Sequence, residues 1–146
     1  MADTNVSALD NTVHKTNEWL AEIERDAGLE GRHGAYVALR AVLTAVRDRL
    51  PVDAAADLGA QLPHLVRGIY YDQFRPVDQP VKVRGEEAFL ARVAEGFGDS
   101  DHIGADPKTA TRAVLATLTR HIEPTAAKKA RDMLDDDAKP LWPIAA

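Results

Sequence analysis

The chain has 146 residues, no cysteine, eight aromatic side chains and a formal net charge of −5, the size and balance of one modest domain spanning residues 1–146. Without thiols there are no disulfides, no cysteine-ligated zinc or iron–sulfur cluster and no thiol nucleophile. The longest uncharged apolar stretches, such as Ala41–Val46, fall far short of the roughly 18 residues a membrane-spanning helix needs.

Charge is spread evenly, with −3 over residues 1–71 and −2 over residues 72–146. Nucleic-acid binding rests on lysine and arginine neutralising phosphates, and no basic lobe is present to do so. The densest basic cluster, Lys128-Lys129 with Arg131, runs directly into Asp132 and Asp135-Asp136-Asp137, as a solvated helix end does. The first residues carry Asp3 where a secretory signal carries base, with no apolar run behind it, so a cytoplasmic location is expected.

In chain order, Thr16, Leu20, Ile23 and Ala27 with Trp19 form one stripe of a first helix, predicted over residues 10–26. Gly28, Gly31 and Gly34 punctuate a loop. Residues 35–50, with Tyr36, Leu39, Val42, Leu43, Val46 and Leu50, are apolar around most of the circumference and read as a central buried helix. Pro51 ends it, Asp53 is the expected N-cap of the next, and Leu58, Leu62, Leu65, Val66, Ile69 and Tyr70 mark one face of a third segment. Pro63 interrupts that face, so a kink or two abutting helices is expected there. Residues 72–84, with Pro76 and Pro80 and no helical period, form a connector.

The pattern then restarts. Phe89, Leu90, Val93, Ala94 and Phe97 give a fourth helix; Asp106-Pro107 opens a fifth that buries Ala110, Val114, Leu115, Leu118 and Ile122. Pro124 opens a sixth, directing Ala126, Ala127, Ala130, Met133 and Leu134 toward the body, before a tail from residue 137 to 146. Sliding the chain by 72 residues lays Arg40-Ala41-Val42-Leu43 on Arg112-Ala113-Val114-Leu115, Ala54-Ala55 on Ala126-Ala127 and Leu62 on Leu134; at an offset of 70, Trp19-Leu20 meets Phe89-Leu90. The expectation is therefore an all-α fold of six main helices in two pseudo-symmetric three-helix repeats, about 10–71 and 85–136, sharing one core across their central helices.

Thr16-Asn17-Glu18-Trp19-Leu20, Ala38-Leu39-Arg40-Ala41-Val42-Leu43, Arg47-Asp48-Arg49-Leu50, Gln61-Leu62-Pro63 and Arg67-Gly68-Ile69-Tyr70-Tyr71 resemble the bacterial domain-of-unknown-function family 2267 over nearly the whole chain. The chain departs from that pattern at Phe74, where a tryptophan is expected after the tyrosine pair, and at Leu134-Asp135, where the second half often has Leu-Pro. The resemblance implies an all-helical fold and a bacterial origin, and it supplies no catalytic residue, cofactor or partner.

No constellation of residues specifies a reaction. Ser100 in Gly98-Asp99-Ser100-Asp101 lacks the second glycine of a nucleophile elbow. The calcium-like start Asp99-x-Asp101 has Ile103 and Ala110 where ligands belong. The five histidines, His14, His33, His64, His102 and His121, show no metal-binding spacing, so neither metal nor cofactor is expected. Two groups stand out. Arg40 and Arg112 occupy equivalent points on the central helices and, if buried there, need partners; Glu18 or Asp57 would serve Arg40, and an anion pocket between the halves is the functional version. Arg67, Tyr70, Tyr71 and Phe74, with Gln73, are residue types common at recognition hot spots and equally common where a loop is pinned to a small core. Pro140-Leu141-Trp142-Pro143-Ile144 is expected to dock on the body rather than expose its apolar residues. The leading functional expectation is a non-catalytic helical interaction or scaffold module, binding protein or itself. The alternative is a binder of an anionic or amphipathic small molecule, or an enzyme, using a pocket between the repeats.

Overall fold

A computed structural model describes residues 4–82, 84–98 and 103–143. These residues form seven α-helices and no strand: α1 (Ser7–Ala27), α2 (Arg32–Arg49), α3 (Val52–Gly59), α4 (His64–Tyr71), α5 (Glu86–Phe97), α6 (Pro107–His121) and α7 (Pro124–Asp132), with 3-10 turns at Pro76–Asp78 and Lys139–Leu141. The third segment read from the sequence is two abutting helices. Proline cannot donate to the preceding turn, so α3 ends before Pro63 and α4 begins after it, with Pro63 as its N-cap.

Helix ends follow local chemistry. Gly28 adopts the left-handed conformation (φ 67°) that closes α1, and Leu29 N–H returns to the Glu24 carbonyl at 2.9 Å, the glycine-terminated closure that absorbs otherwise unpaired carbonyls. Asp106 caps α6 by accepting from Thr109 N–H at 2.7 Å, with Pro107 in the first turn. The expected cap Asp53 instead lies inside the first turn of α3, whose N-cap is Pro51.

The core is built on α2, buried from Ala35 through Arg47 except at Tyr36 and Arg40. It packs directly on α6, and Val42 and Val114 are both buried, at 0% and 1% exposure. The most extensive helix pairs are α2 with α5 and α1 with α6. Gly96 makes the first possible: a Cβ there would stand 2.6 Å from Ala41 Cβ, so only glycine lets α5 come this close. Between the halves, the connector is pinned to the end of α2. Gln79 Nε2 donates to the Arg47 and Leu50 carbonyls, both at 2.7 Å, and Val81 N–H donates to the Asp48 carbonyl at 2.7 Å.

Three positions expected to face the core do not. Tyr36, Leu65 and Met133 are 36%, 42% and 48% exposed, because α2 and α4 each leave one stripe open to solvent and Met133 lies beyond the last turn of α7. The tail docks as expected: Leu141 and Trp142 are buried, the Trp142 indole N–H donates to Thr119 Oγ1 at 2.8 Å, and Arg131 Nε donates to the Trp142 carbonyl at 3.0 Å. Ile144 and the loop carrying Asp99, Ser100, Asp101 and His102 lie outside the described residues.

Candidate interaction groove

Arg40 and Arg112 are both exposed and have no ion-pair partner among the described residues. Glu18 pairs with His14 at 2.9 Å instead. Arg40 lines a cavity of about 290 Å³ with Tyr36, Leu65, Ile69 and Asp72, to which Arg112 does not contribute. The anchoring role expected of Arg40 falls two turns later, to Arg47, whose side chain is 3% exposed. Its Nη1 donates to the Tyr70 and Asp72 carbonyls at 2.8 and 2.7 Å, its Nε donates to Asp48 Oδ1 at 2.9 Å, and its guanidinium lies 5.3 Å from the centre of the Phe74 ring. A planar, five-donor head can serve all of these at once. Arg40 and Arg47 stand on one side of α2 seven residues apart; Arg40 opens onto a cavity beside α4, whereas Arg47 is enclosed by the end of α4 and the start of the connector. Nothing in the sequence periodicity distinguished Arg47 from Arg40 as the buried one.

The aromatic group turns inward. Tyr70 is fully buried, donates its hydroxyl to the Ala55 carbonyl at 2.7 Å, and burial pushes its ionisation well above the ordinary tyrosine range. Tyr71 meets Tyr70 edge-on at 5.0 Å between ring centres and tilts against Phe74 at 5.6 Å. Arg67 donates to the carbonyls of Gly59 (2.9 Å), Ala60 (3.2 Å) and Leu62 (2.9 Å), satisfying the open C-terminal end of α3. Gln73 turns the chain with φ 62°. Arg67, Tyr70, Tyr71 and Phe74 therefore lock α3, α4 and the start of the connector together.

A second polar cluster joins α1 to α6. Arg120 donates to Glu22 Oε1 and Asp26 Oδ2, both at 2.8 Å, while His121 bonds Glu22 Oε2 and stacks on Trp19 at 5.2 Å between ring centres. Burial opposes ionisation of Glu22 and Asp26, but hydrogen bonds from His121 and Arg120 to the first, and from Arg120 and Arg25 to the second, outweigh it and hold both carboxyls below their ordinary range. Among the described residues no three histidine or acidic side chains are placed to hold a metal ion.

A cavity of about 820 Å³ lies between α3 and α7. The two short helices run antiparallel there: Gln61, after α3, accepts from Glu123 N–H before α7 at 3.2 Å. Ala54, Leu58, Ala126 and Ala130 line the groove, bordered by Asp53 and Asp57 on the α3 side and by Glu123, Lys128, Lys129 and Asp132 on the α7 side, with Lys128 bonded to Asp132 at 2.9 Å. Small side chains leave room for the close approach of another helix. Met133 stands at the far end and borders an adjoining cavity under the connector. The sequence carried a sign of this groove in the Ala pair repeated at 54-55 and 126-127, although Met133 read as a core residue.

The model of a family described as uncharacterized conserved protein (DUF2267) matches residues 16–141. The chain belongs to the DUF2267 family. The match runs from the middle of α1 to the 3-10 turn that carries Leu141, so it takes in the second half of α1, all of α2 to α7 and the docked start of the tail. No curated protein matches the chain. In this chain Arg47, Arg67 and the aromatic group are engaged in packing contacts, whereas the α3–α7 groove is open.

Proposed function

We propose that this DUF2267 protein is a non-catalytic helical interaction module that receives a partner helix in the α3–α7 groove. The carrying observation is the groove itself: about 820 Å³ lined by Ala54, Leu58, Ala126 and Ala130, with a charged rim and an exposed methionine at one end. Recognition by helix-in-groove docking needs an apolar trough, and small side chains along it let a helix approach closely. Arg40 lines a cavity to which Arg112 does not contribute, so the alternative of an anion pocket shared by the two arginines has less support than the groove.

The same reading includes an ancestral duplication. Helices α2 and α6 end 72 residues apart, α3 and α7 begin 72 residues apart, and the buried anchors Tyr70 and Trp142 are separated by the same interval. Helices α1 and α5 each pack on both α2 and α6, so each first helix bridges the two central helices. Such bridging joins two trios that are each too small to fold well alone. The pairing of α3 with α7 then falls on the pseudo-two-fold axis, where one half cannot cover the other's short helix completely.

The test is selection from a displayed library of helical peptides against the wild type and Ala126→Arg, with circular dichroism confirming that both are folded. Enriched peptides carrying an i, i+3, i+4, i+7 apolar pattern and losing at least about tenfold in affinity for the variant would support the groove. Failure to enrich, or equal binding to Ala126→Arg, would refute it.

A further inference from the structure

We infer that the cavity beneath the connector is a binding site for a small organic anion with an apolar body, its head held by Lys82 and Arg84 and its body lying against Val81, Met133 and Leu134. This site is separate from the helix-binding groove and does not depend on it, although Met133 borders both.

The cavity holds about 490 Å³, enough for a medium-chain carboxylate and within the range of small-molecule sites. Its charge runs against that of the protein. In a chain of net charge −5, three cations, Arg49, Lys82 and Arg84, line it with only one carboxylate, Asp135. That carboxylate is already committed: Oδ1 accepts from Arg49 Nη1 at 3.1 Å and Oδ2 accepts from Gly85 N–H at 2.8 Å. Arg49 is 7% exposed and also lies over the Phe89 ring at 5.2 Å, so this pair forms part of the wall. Lys82 and Arg84 are exposed at the mouth, and neither has an ion-pair partner among the described residues. The Asp136 carboxylate, which feels Arg84, is bonded to Lys139 at 2.8 Å.

The rest of the lining is apolar or proline: Pro51, Pro80, Val81, Met133 and Leu134. An inorganic anion could use the rim and gain nothing from this surface, whereas a neutral lipid-like molecule would leave both cations without a counter-charge. An amphipathic anion satisfies both, since burial of its apolar body adds to a charge-assisted hydrogen bond at its head. Position is supplied by the strap, because Gln79 and Val81 fasten the chain to the end of α2 immediately before Lys82.

Isothermal titration calorimetry on the full chain tests this with octanoate, octan-1-ol and inorganic phosphate. The expected result is saturable one-to-one octanoate binding, with octanol and phosphate each at least about tenfold weaker. Lys82→Glu with Arg84→Glu should abolish octanoate binding while the thermal melt stays unchanged, as both side chains are exposed. Met133→Asp, also at an exposed position, should weaken octanoate and leave phosphate unaffected, and Ala126→Arg should leave octanoate binding intact. Absence of octanoate binding, equal binding of phosphate, or full octanoate binding by the double charge reversal would each overturn the proposal.

Discussion

Arg47 Nη1 donates to the carbonyl of Tyr70 at 2.8 Å, tying the last turn of the central helix to the last turn of α4 across 23 residues of sequence. The same guanidinium holds the Asp72 carbonyl and Asp48, so three oxygens lose their partner together if the side chain is cut back. Arg47→Leu should therefore destabilise by about 2 to 4 kcal/mol, since buried acceptors would be left unpaired. Arg40→Leu, at an exposed site, should stay within about 0.5 kcal/mol of the wild type. Urea melts of the two variants check the contrast. Equal losses would contradict the assignment of the anchoring role to Arg47.

Glycine substitutions separate close helix packing from mere helix propensity. Gly96→Ala drives a methyl group into Ala41 and should cost about 1 to 3 kcal/mol through overpacking. Gly68→Ala, in α4 with nothing within 4 Å of the added carbon, should gain about 0.5 to 1 kcal/mol from reduced backbone freedom in the unfolded chain. Thermal melts read both signs directly.

Acid should loosen the contact between α1 and α6. Glu22 and Asp26 have folded-state pKa values below their ordinary 4.5 and 3.8. A depressed carboxyl contributes stability that is present above its unfolded-state pKa and lost as pH falls through its folded one. Stability should therefore hold from neutral pH to just above the ordinary carboxylate range and decline below it. Arg120→Gln removes the shared donor of both carboxylates, so it should flatten that decline. Urea midpoints measured across the acid range for wild type and variant are the check, and parallel profiles would count against the cluster.

The tail is part of the core rather than an appendage. Trp142 is 1% exposed, and Trp142→Ala should cost about 3 to 5 kcal/mol, the usual loss for a buried tryptophan. Thr119→Val should cost about 1 to 2 kcal/mol by leaving the indole N–H unpaired. Chemical denaturation followed by circular dichroism distinguishes this from a free recognition segment, for which both changes would be neutral.

Helical periodicity and proline placement were enough to locate every long helix and the break at Pro63, because those signals act within one or two turns of chain. Which arginine is buried was not legible in the same way. Arg40 and Arg47 lie on similar apolar surroundings of α2, and their fates diverge where the end of α4 and the start of the connector close over Arg47. Tyr70, Tyr71 and Phe74 are likewise residue types that suit a recognition patch or an internal anchor, and the choice is made by the Ala55 carbonyl waiting for the Tyr70 hydroxyl. Met133 has the composition of a core residue and the position of a groove residue, since α7 stops one residue before it. The groove left a trace only in the repeated alanine pair, which marks where short helices pack closely without saying what covers them.

Met133 is the chain's one methionine beyond Met1, and it stands at the end of the α3–α7 groove. Carbon-13 labelling of the methionine methyl groups therefore places a single non-terminal reporter at the proposed recognition surface. Titrating the labelled protein with a peptide selected for binding should shift or broaden the Met133 methyl resonance in step with binding, and Ala126→Arg should abolish both effects. A peptide that binds tightly while the Met133 resonance stays unchanged would contradict the groove as the recognition surface.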